Sequence, residues 1–239
     1  MSANKGRLIV LEGTDGSGKA TQSRLLLRRL RASGIPAVRI AFPGYQRSFF
    51  GRMVAEYLRG RFGAGADPYL AALLYAGDRW QARERMRRWL AEGKAVICDR
   101  YVDSNKAHQA ARLPAGGRAR RKFLKWVERL EYGVFRLPRP DYTIFLHVPH
   151  TESIRLIERK GRRAYLRGGR RDIHEADSRH LRRAESIYLQ LAEGRRPKRG
   201  ALIRCVERGR LLSKSEIADL VWRAIRGRGL LRGLKRWPG

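Results

Sequence analysis

The sequence predicts an α/β fold: a doubly wound parallel sheet of about five strands flanked by helices, built around a phosphate-binding loop and carrying a mobile arginine-rich lid. Three observations carry this reading. Gly13-Thr14-Asp15-Gly16-Ser17-Gly18-Lys19-Ala20-Thr21 lies between the apolar run Leu8-Ile9-Val10-Leu11 and an amphipathic stretch from Gln22, which is the strand, loop and helix context that a phosphate loop requires. Apolar runs then alternate with segments of helical periodicity, as in parallel strands joined by helices. The length, 239 residues, suits one such domain of ~200 to 250 residues.

Within the loop, Gly13, Gly16 and Gly18 permit backbone angles closed to other residues, so that successive N–H groups turn toward phosphate oxygens. The following helix N-terminus adds partial positive charge, and Lys19 adds a full one. These features make the fold P-loop NTPase-type. One position departs from G-x-x-x-x-G-K-[ST]: Ala20 stands where a hydroxyl would hold magnesium, and Thr21 offers one a residue later. The competing account is a glycine-rich turn without ligand.

The elements follow in order. Residues 7–11 form the first strand, and a helix runs to about residue 32, where Gly34 and Pro36 end it. Residues 37–42 read as the second strand. In such a sheet ligands lie at the carboxyl ends of the strands, here the loops after Leu11, Phe42 and Cys98. In the second loop Pro43 stiffens the strand exit and Arg47 can reach a phosphate, unless the segment is an ordinary turn. A helix over 51–59 buries Met53, Val54, Tyr57 and Leu58. Asp67 caps a long helix that Gly93 ends, with Pro68 at its first position. Leu70, Leu73, Leu74, Gly77, Trp80 and Glu84 trace its expected inward side. Tyr75 and Arg79, four apart, place a ring beside a guanidinium: a pair able to stack on a base and bond its edge, or an ordinary surface pair.

Residues 95–98 form the third strand, running into Asp99-Arg100-Tyr101. Charges at the end of a buried strand are costly unless used. Asp99 is placed to position magnesium or its waters and Arg100 to hold phosphate oxygens; a structural ion pair is the alternative. Ser104 opens a helix that aims Asn105 and His108 into the same cleft, His108 as a contact rather than a base. Residues 118–137 read as one amphipathic helix, with Phe123, Trp126, Val127, Leu130, Val134 and Phe135 inward as core or subunit contact. The fourth strand spans 142–148 and contains His147, expected to be a satisfied core histidine. Thr151 is expected to cap a short helix ending near Arg159.

Residues 160–172 are glycine-rich and basic, and read as a flap that closes over phosphates and supplies arginines, or as a solvated loop. A helix beginning near His174 continues through Leu181, Ala184, Ile187, Tyr188 and Leu191. Residues 202–206 form the fifth strand and 217–225 the last core helix. The chain thus divides into one domain, 1–226, and a basic C-terminal extension, 227–239.

The net charge is +32, which suggests attraction to polyanions. However, only 10 of the 54 basic residues are lysine and the arginines are spread along the chain, so the charge reads as compositional background. Nonspecific polyanion binding is expected and specific nucleic-acid binding is not. Cys98 and Cys205 sit in apolar runs without C-x-x-C spacing, as buried free thiols do. No apolar run approaches a membrane span of ~18 residues, and the first residues lack the apolar core of a signal peptide. A cytoplasmic location is the expectation.

With the phosphate loop, the Phe42-Pro43 turn, the segment Leu73-Leu74-Tyr75-Ala76-Gly77-Asp78-Arg79 and Asp99-Arg100-Tyr101 in order, the chain resembles the thymidylate kinases from about residue 7 to 225. The resemblance implies transfer of the ATP γ-phosphate, with Mg2+, onto dTMP. It implies that Asp15 contacts the acceptor sugar, that Tyr75 stacks on the base and that Arg79 bonds the thymine edge. Phe42, Arg47 and Arg100 frame the acceptor, with Arg100 on its phosphate, and Ser104, Asn105 and His108 line base and deoxyribose. Gly16 in the loop together with Arg159, Arg162 and Arg163 resembles the bacterial-type arrangement, in which the flap supplies the catalytic arginines. Asp172 and Glu175 resemble acidic residues at its far end, Glu175 as a further metal candidate beside Asp99 and Thr21. A homodimer is implied. The alternatives are a kinase for another pyrimidine nucleotide or deoxynucleoside, and a nucleic-acid-binding P-loop protein that has lost catalysis.

Overall fold

A computed structural model describes residues 5–63, 66–115, 117–158, 177–194 and 199–234. Five parallel strands form the sheet in the order β2-β3-β1-β4-β5, with β1 at Arg7–Gly13, β2 at Ala37–Ala41, β3 at Ala95–Asp99, β4 at Tyr142–His147 and β5 at Gly200–Arg204. β1 is central: Leu11 pairs with Asp99 of β3 and Gly13 with Leu146 of β4. The expected doubly wound parallel sheet is therefore present. A strand buried on both faces has no polar side, which explains the unbroken apolar run of β1. Leu8 and Val10 enter one core layer with Phe123, Val127, Ala184 and Ile187. Ile9 and Leu11 enter the other with Leu26, Leu30, Ile217, Val221 and Ile225.

The helices of the first layer are α3 (Pro68–Gln81), α4 (Arg83–Ala91), α5 (Val102–Ala110), α6 (Arg118–Glu128) and α8 (Ser178–Glu193); α1 (Lys19–Ala32) and α9 (Lys214–Gly227) cover the opposite face. α2 (Phe49–Leu58) packs on α3 through Val54, Tyr57, Leu58, Ala71 and Leu74. Asp67 caps α3 by accepting from the N–H groups of Tyr69 and Leu70. Ser213 and Glu216 form a capping box on α9.

Several helical expectations are corrected. The long helix after Asp67 is two helices, broken at Ala82, which closes α3 and opens α4. Neither Pro nor Gly marks the break; Ala82 turns into the core and is buried. The inward face of α3 also differs: Ala71, Ala72, Leu74, Ala76, Gly77, Asp78 and Arg79 are buried, while Leu70, Leu73 and Trp80 are exposed. The polar cleft lies on the inner side of this helix, so its polar residues face in. The helix expected over 118–137 ends at Glu128 and passes into a π-helical turn, Arg129–Val134. The wider turn rotates the face, burying Glu131 and leaving Val134 exposed. α7 (His150–Glu158) starts at His150, so Thr151 does not cap it. A short antiparallel hairpin, β6 (Val206–Glu207) and β7 (Arg210–Leu211), follows β5.

Cys98 and Cys205 are buried free thiols. Leu230, Leu231 and Leu234 of the expected extension pack against the α1 and α9 core layer. The lid expected over 160–172, with Arg162, Arg163 and Asp172, and the flanking Arg159 and Glu175 lie outside the described residues.

Candidate active site

The phosphate loop sits between β1 and α1 with Gly13, Gly16 and Gly18 at positive φ. At Gly13 the need for glycine is steric as well, because a Cβ would stand 2.2 Å from the Leu146 carbonyl. The start of α1 carries no side-chain cap, which leaves its N–H groups for an anion. Lys19 is buried and folds across the loop, donating from Nζ to the Gly13 carbonyl at 2.9 Å, the Thr14 carbonyl at 2.5 Å and Ser17 Oγ at 3.2 Å. Ala20 is exposed and Thr21 half-buried.

Asp99 and Arg100 leave β3 beside this loop. Asp99 Oδ2 accepts from Arg39 Nη2 at 2.5 Å, and Arg39 Nε donates to Ser23 Oγ at 2.6 Å. One carboxylate oxygen is thus held in an ion pair with β2, the structural role weighed above. Arg100 adopts φ 66°, a left-handed conformation uncommon outside glycine and often retained at functional sites. Its Nη2 donates to Asp15 Oδ1, and its Nη1 lies 3.2 Å from Ser104 Oγ, 3.4 Å from His108 Nε2 and 3.4 Å from Tyr188 OH. Burial opposes the Arg100 charge, but the Asp15 carboxylate outweighs it and holds the guanidinium well above its ordinary range.

A cleft lined by both apolar and polar side chains, as small-ligand sites are, lies next to Arg100. Its walls include Asp15, Phe42, Tyr75, Arg79, Arg100, Ser104, Asn105 and His108. Eight expected acceptor residues drawn from four segments of the chain therefore meet at one place. Arg47 is the exception: its side chain is exposed and does not line the cleft. Arg79 is not half of a surface pair, since it is only 1% exposed. Tyr75 sits edge-to-face on Tyr57, with centroids 6.3 Å apart. His108 stacks on His180, 5.6 Å between centroids, and its Nε2 is 4.0 Å from Asp15 Oδ2.

Sequence reasoning missed the carboxylates that hold this cleft together. Glu12, fully buried, accepts from the N–H groups of Tyr101 and Ser104 at 2.8 and 3.1 Å and from Ser104 Oγ at 2.6 Å. Burial, reinforced by Asp103, raises its pKa to about 7. Asp78 accepts from Gly44 N at 2.8 Å and from Ser48 Oγ, fixing the turn after Phe42. Glu131 accepts from Arg79 Nε at 2.5 Å, Arg79 Nη2 at 2.7 Å and Asn105 Nδ2 at 2.8 Å. The available signal was an acidic residue inside an apolar run, as in Leu8 to Glu12. His147 is satisfied as expected, 2.8 Å from Glu185 Oε1, and His150 joins it at 2.9 Å from Oε2.

Among the described residues no group of three or more His, Cys, Asp or Glu side chains is arranged to hold a metal alone. Magnesium bound with phosphates needs fewer protein ligands, usually one or two carboxylates with waters. Asp99, with one oxygen taken by Arg39, fits that water-mediated role, whereas Ala20 supplies no ligand.

Fold and site together define a P-loop α/β protein whose phosphate loop borders a second cleft through Asp15. A family model, Thymidylate kinase, matches residues 11–201, and the chain belongs to that family. A thymidylate kinase of Mycobacterium tuberculosis is 39% identical over 142 residues, 59% of this chain and 65% of the relative. The Homo sapiens thymidylate kinase is 33% identical over 149 residues, 62% and 64% of the two chains. The match thus spans slightly less than two thirds of these relatives. A solved structure of thymidylate kinase from Candida albicans superposes with a TM-score of 0.75 at 22% identity, covering 98% of this chain and 96% of that one, a likeness of fold.

Proposed function

We propose that the chain is an ATP-dependent thymidylate kinase that transfers the γ-phosphate of ATP to dTMP to give dTDP. The observation that carries this reading is the contact between Asp15 of the phosphate loop and Arg100 at the end of β3. It joins the donor-phosphate loop and the acceptor cleft at one edge of the sheet, where in-line transfer would place the reacting groups close together.

In this mechanism the loop amides, the α1 N-terminus and Lys19 hold the donor phosphates. Arg100 holds the acceptor phosphate, with Ser104, Tyr188 and Asp15 fixing its fork. Tyr75 and Phe42 flank the base, and Arg79 and Asn105 bond its edge. Asp15 and His108 border the sugar. Magnesium, held through waters at Asp99, would neutralise charge on the donor phosphates. Arg159, Arg162 and Arg163 from the lid would neutralise the transferred group. Thr21 and Glu175 are secondary metal candidates.

A homodimer is proposed as well, supported by the apolar stripe that α3 leaves exposed at Leu70, Leu73 and Trp80. A cytoplasmic setting follows from the proposed reaction; among the described residues no helix is long and apolar enough to cross a membrane. No specific nucleic-acid partner is proposed. A coupled assay with ATP against dTMP, dUMP, dCMP and UMP tests the activity. The expected order places dTMP first; turnover of none of them would sink the proposal, and a preference for another acceptor would reassign it.

A further inference from the structure

Glu131 is 0% exposed and is carried by the π-helical turn, a rare geometry that often marks functional sites. One of its oxygens, Oε1, accepts from Arg79 Nη2 and Asn105 Nδ2 together, while Oε2 accepts from Arg79 Nε. Asn105 Nδ2 also donates to the Ala72 carbonyl at 3.0 Å. A carbonyl and a carboxylate paired with a guanidinium both accept, so the amide nitrogen of Asn105 must occupy that corner. Its Oδ1 takes the other corner, buried and with no hydrogen-bond partner among the described residues.

Gln109, one turn further along α5, shows the opposite polarity. Its Oε1 accepts from Arg112 Nη1 at 3.3 Å, and its buried Nε2 has no partner among the described residues. Arg79 retains Nη1, the terminal nitrogen that Glu131 does not engage. All three residues line the cleft. The cleft therefore offers a donor at Arg79, an acceptor at Asn105 and a donor at Gln109. Buried polar atoms without partners are costly, so a ligand that supplies the complementary set is favoured.

We propose that Glu131 is a positioning residue that sets base selectivity, by holding Arg79 and the Asn105 amide in the one orientation that matches an imide edge. Thymine and uracil present carbonyl, N–H, carbonyl along that edge. Cytosine presents an acceptor at N3 and a donor at position 4, which leaves Asn105 Oδ1 and a facing donor unmatched. The inference rests on the reading of the cleft as the acceptor-nucleotide site.

The test compares dTMP with 5-methyl-dCMP, which share a shape and differ in that edge, by calorimetric binding to the purified full chain. The unmodified protein is expected to bind dTMP about 100-fold more tightly, the scale set by a buried polar atom left without a partner. Equal binding overturns the inference whatever the variants do. Glu131→Gln keeps one acceptor for the three donors that Glu131 holds, so Arg79 and the Asn105 amide are no longer both fixed and the ratio is expected to fall to within about 10-fold. The KM for dTMP is expected to rise about 10-fold, with kcat at saturation changed less than about 3-fold. A role confined to stability would weaken both ligands alike, and an unchanged ratio in folded Glu131→Gln overturns the inference. Should that variant not fold, Arg79→Met/Glu131→Gln leaves no buried charge unpaired. Arg79→Met is its reference: a ratio below that of Arg79→Met supports the inference, and a ratio equal to it overturns the inference. Binding is read without turnover, so a retained preference in a protein that phosphorylates nothing would count against the kinase reading alone.

Discussion

Glu12 holds a proton in the folded protein that the unfolded chain releases, because burial raises its pKa from 4.5 to about 7. The folded state therefore binds more protons between these values, and this contribution to stability is fully present below pH 4.5 and lost as pH rises through about 7. Glu12→Gln keeps an acceptor for the Tyr101 and Ser104 amides and should flatten that decline. Thermal melts of both proteins from pH 5 to 8 check it; parallel curves would refute the assignment. Lys19→Ala should lower kcat by ~10^2- to 10^3-fold, the scale of a lost transition-state donor. Its stability cost should be only about 1 kcal/mol, for exchanged hydrogen bonds; rapid turnover by the variant would contradict the donor-site assignment. At this scale Lys19 and Arg100 were singled out because their types and positions are tied to phosphate chemistry, while the spacing of Arg79 fitted a surface pair equally and only the family resemblance put it in the cleft. Glu12, Asp78 and Glu131 were not singled out, since their partners lie 89, 34 and 52 residues away.

Among the elements, α2 shows how closely the cleft wall is packed. A Cβ at Gly51 would stand 2.2 Å from the Gly44 carbonyl and 2.6 Å from Ser48 Oγ, so α2 seats directly on the turn that Asp78 holds. Gly51→Ala should destabilise the protein by about 1–3 kcal/mol, as overpacking does, and should raise the KM for the acceptor by displacing Phe42. Urea denaturation and steady-state kinetics read the two effects; a gain in stability would show that the turn yields freely. The first four strands were legible to within two residues, because the buried strands leave a continuous apolar signature, whereas β5, mostly half-buried, begins two residues before the expected 202 and the β6–β7 hairpin was not foreseen. The faces of α3 and the π-helical turn were not. An apolar stripe normally marks the buried side of a helix, and here the cleft draws Asp78 and Arg79 inward instead.

For the whole molecule, the exposed stripe of α3 leads to a test of assembly. Sedimentation should show a particle of twice the chain mass, and Trp80→Glu should shift it to the monomer by placing a charge on an apolar interface. A monomer at all concentrations in the parent protein would remove the proposal. The net charge of +32 bears on nonspecific attraction and not on the fold, so salt should weaken any polyanion binding without altering the acceptor preference. Read along the chain alone, the residues were enough for the phosphate loop, the parallel sheet and most of the cleft, because each rests on local periodicity or on a motif whose members are close in sequence. Which helix faces turn inward, which carboxylates brace the arginines and which corner of the Asn105 amide is held by Glu131 were decided only by tertiary structure. Those depend on contacts between segments far apart in the chain, where burial makes one arrangement of donors and acceptors much cheaper than the others.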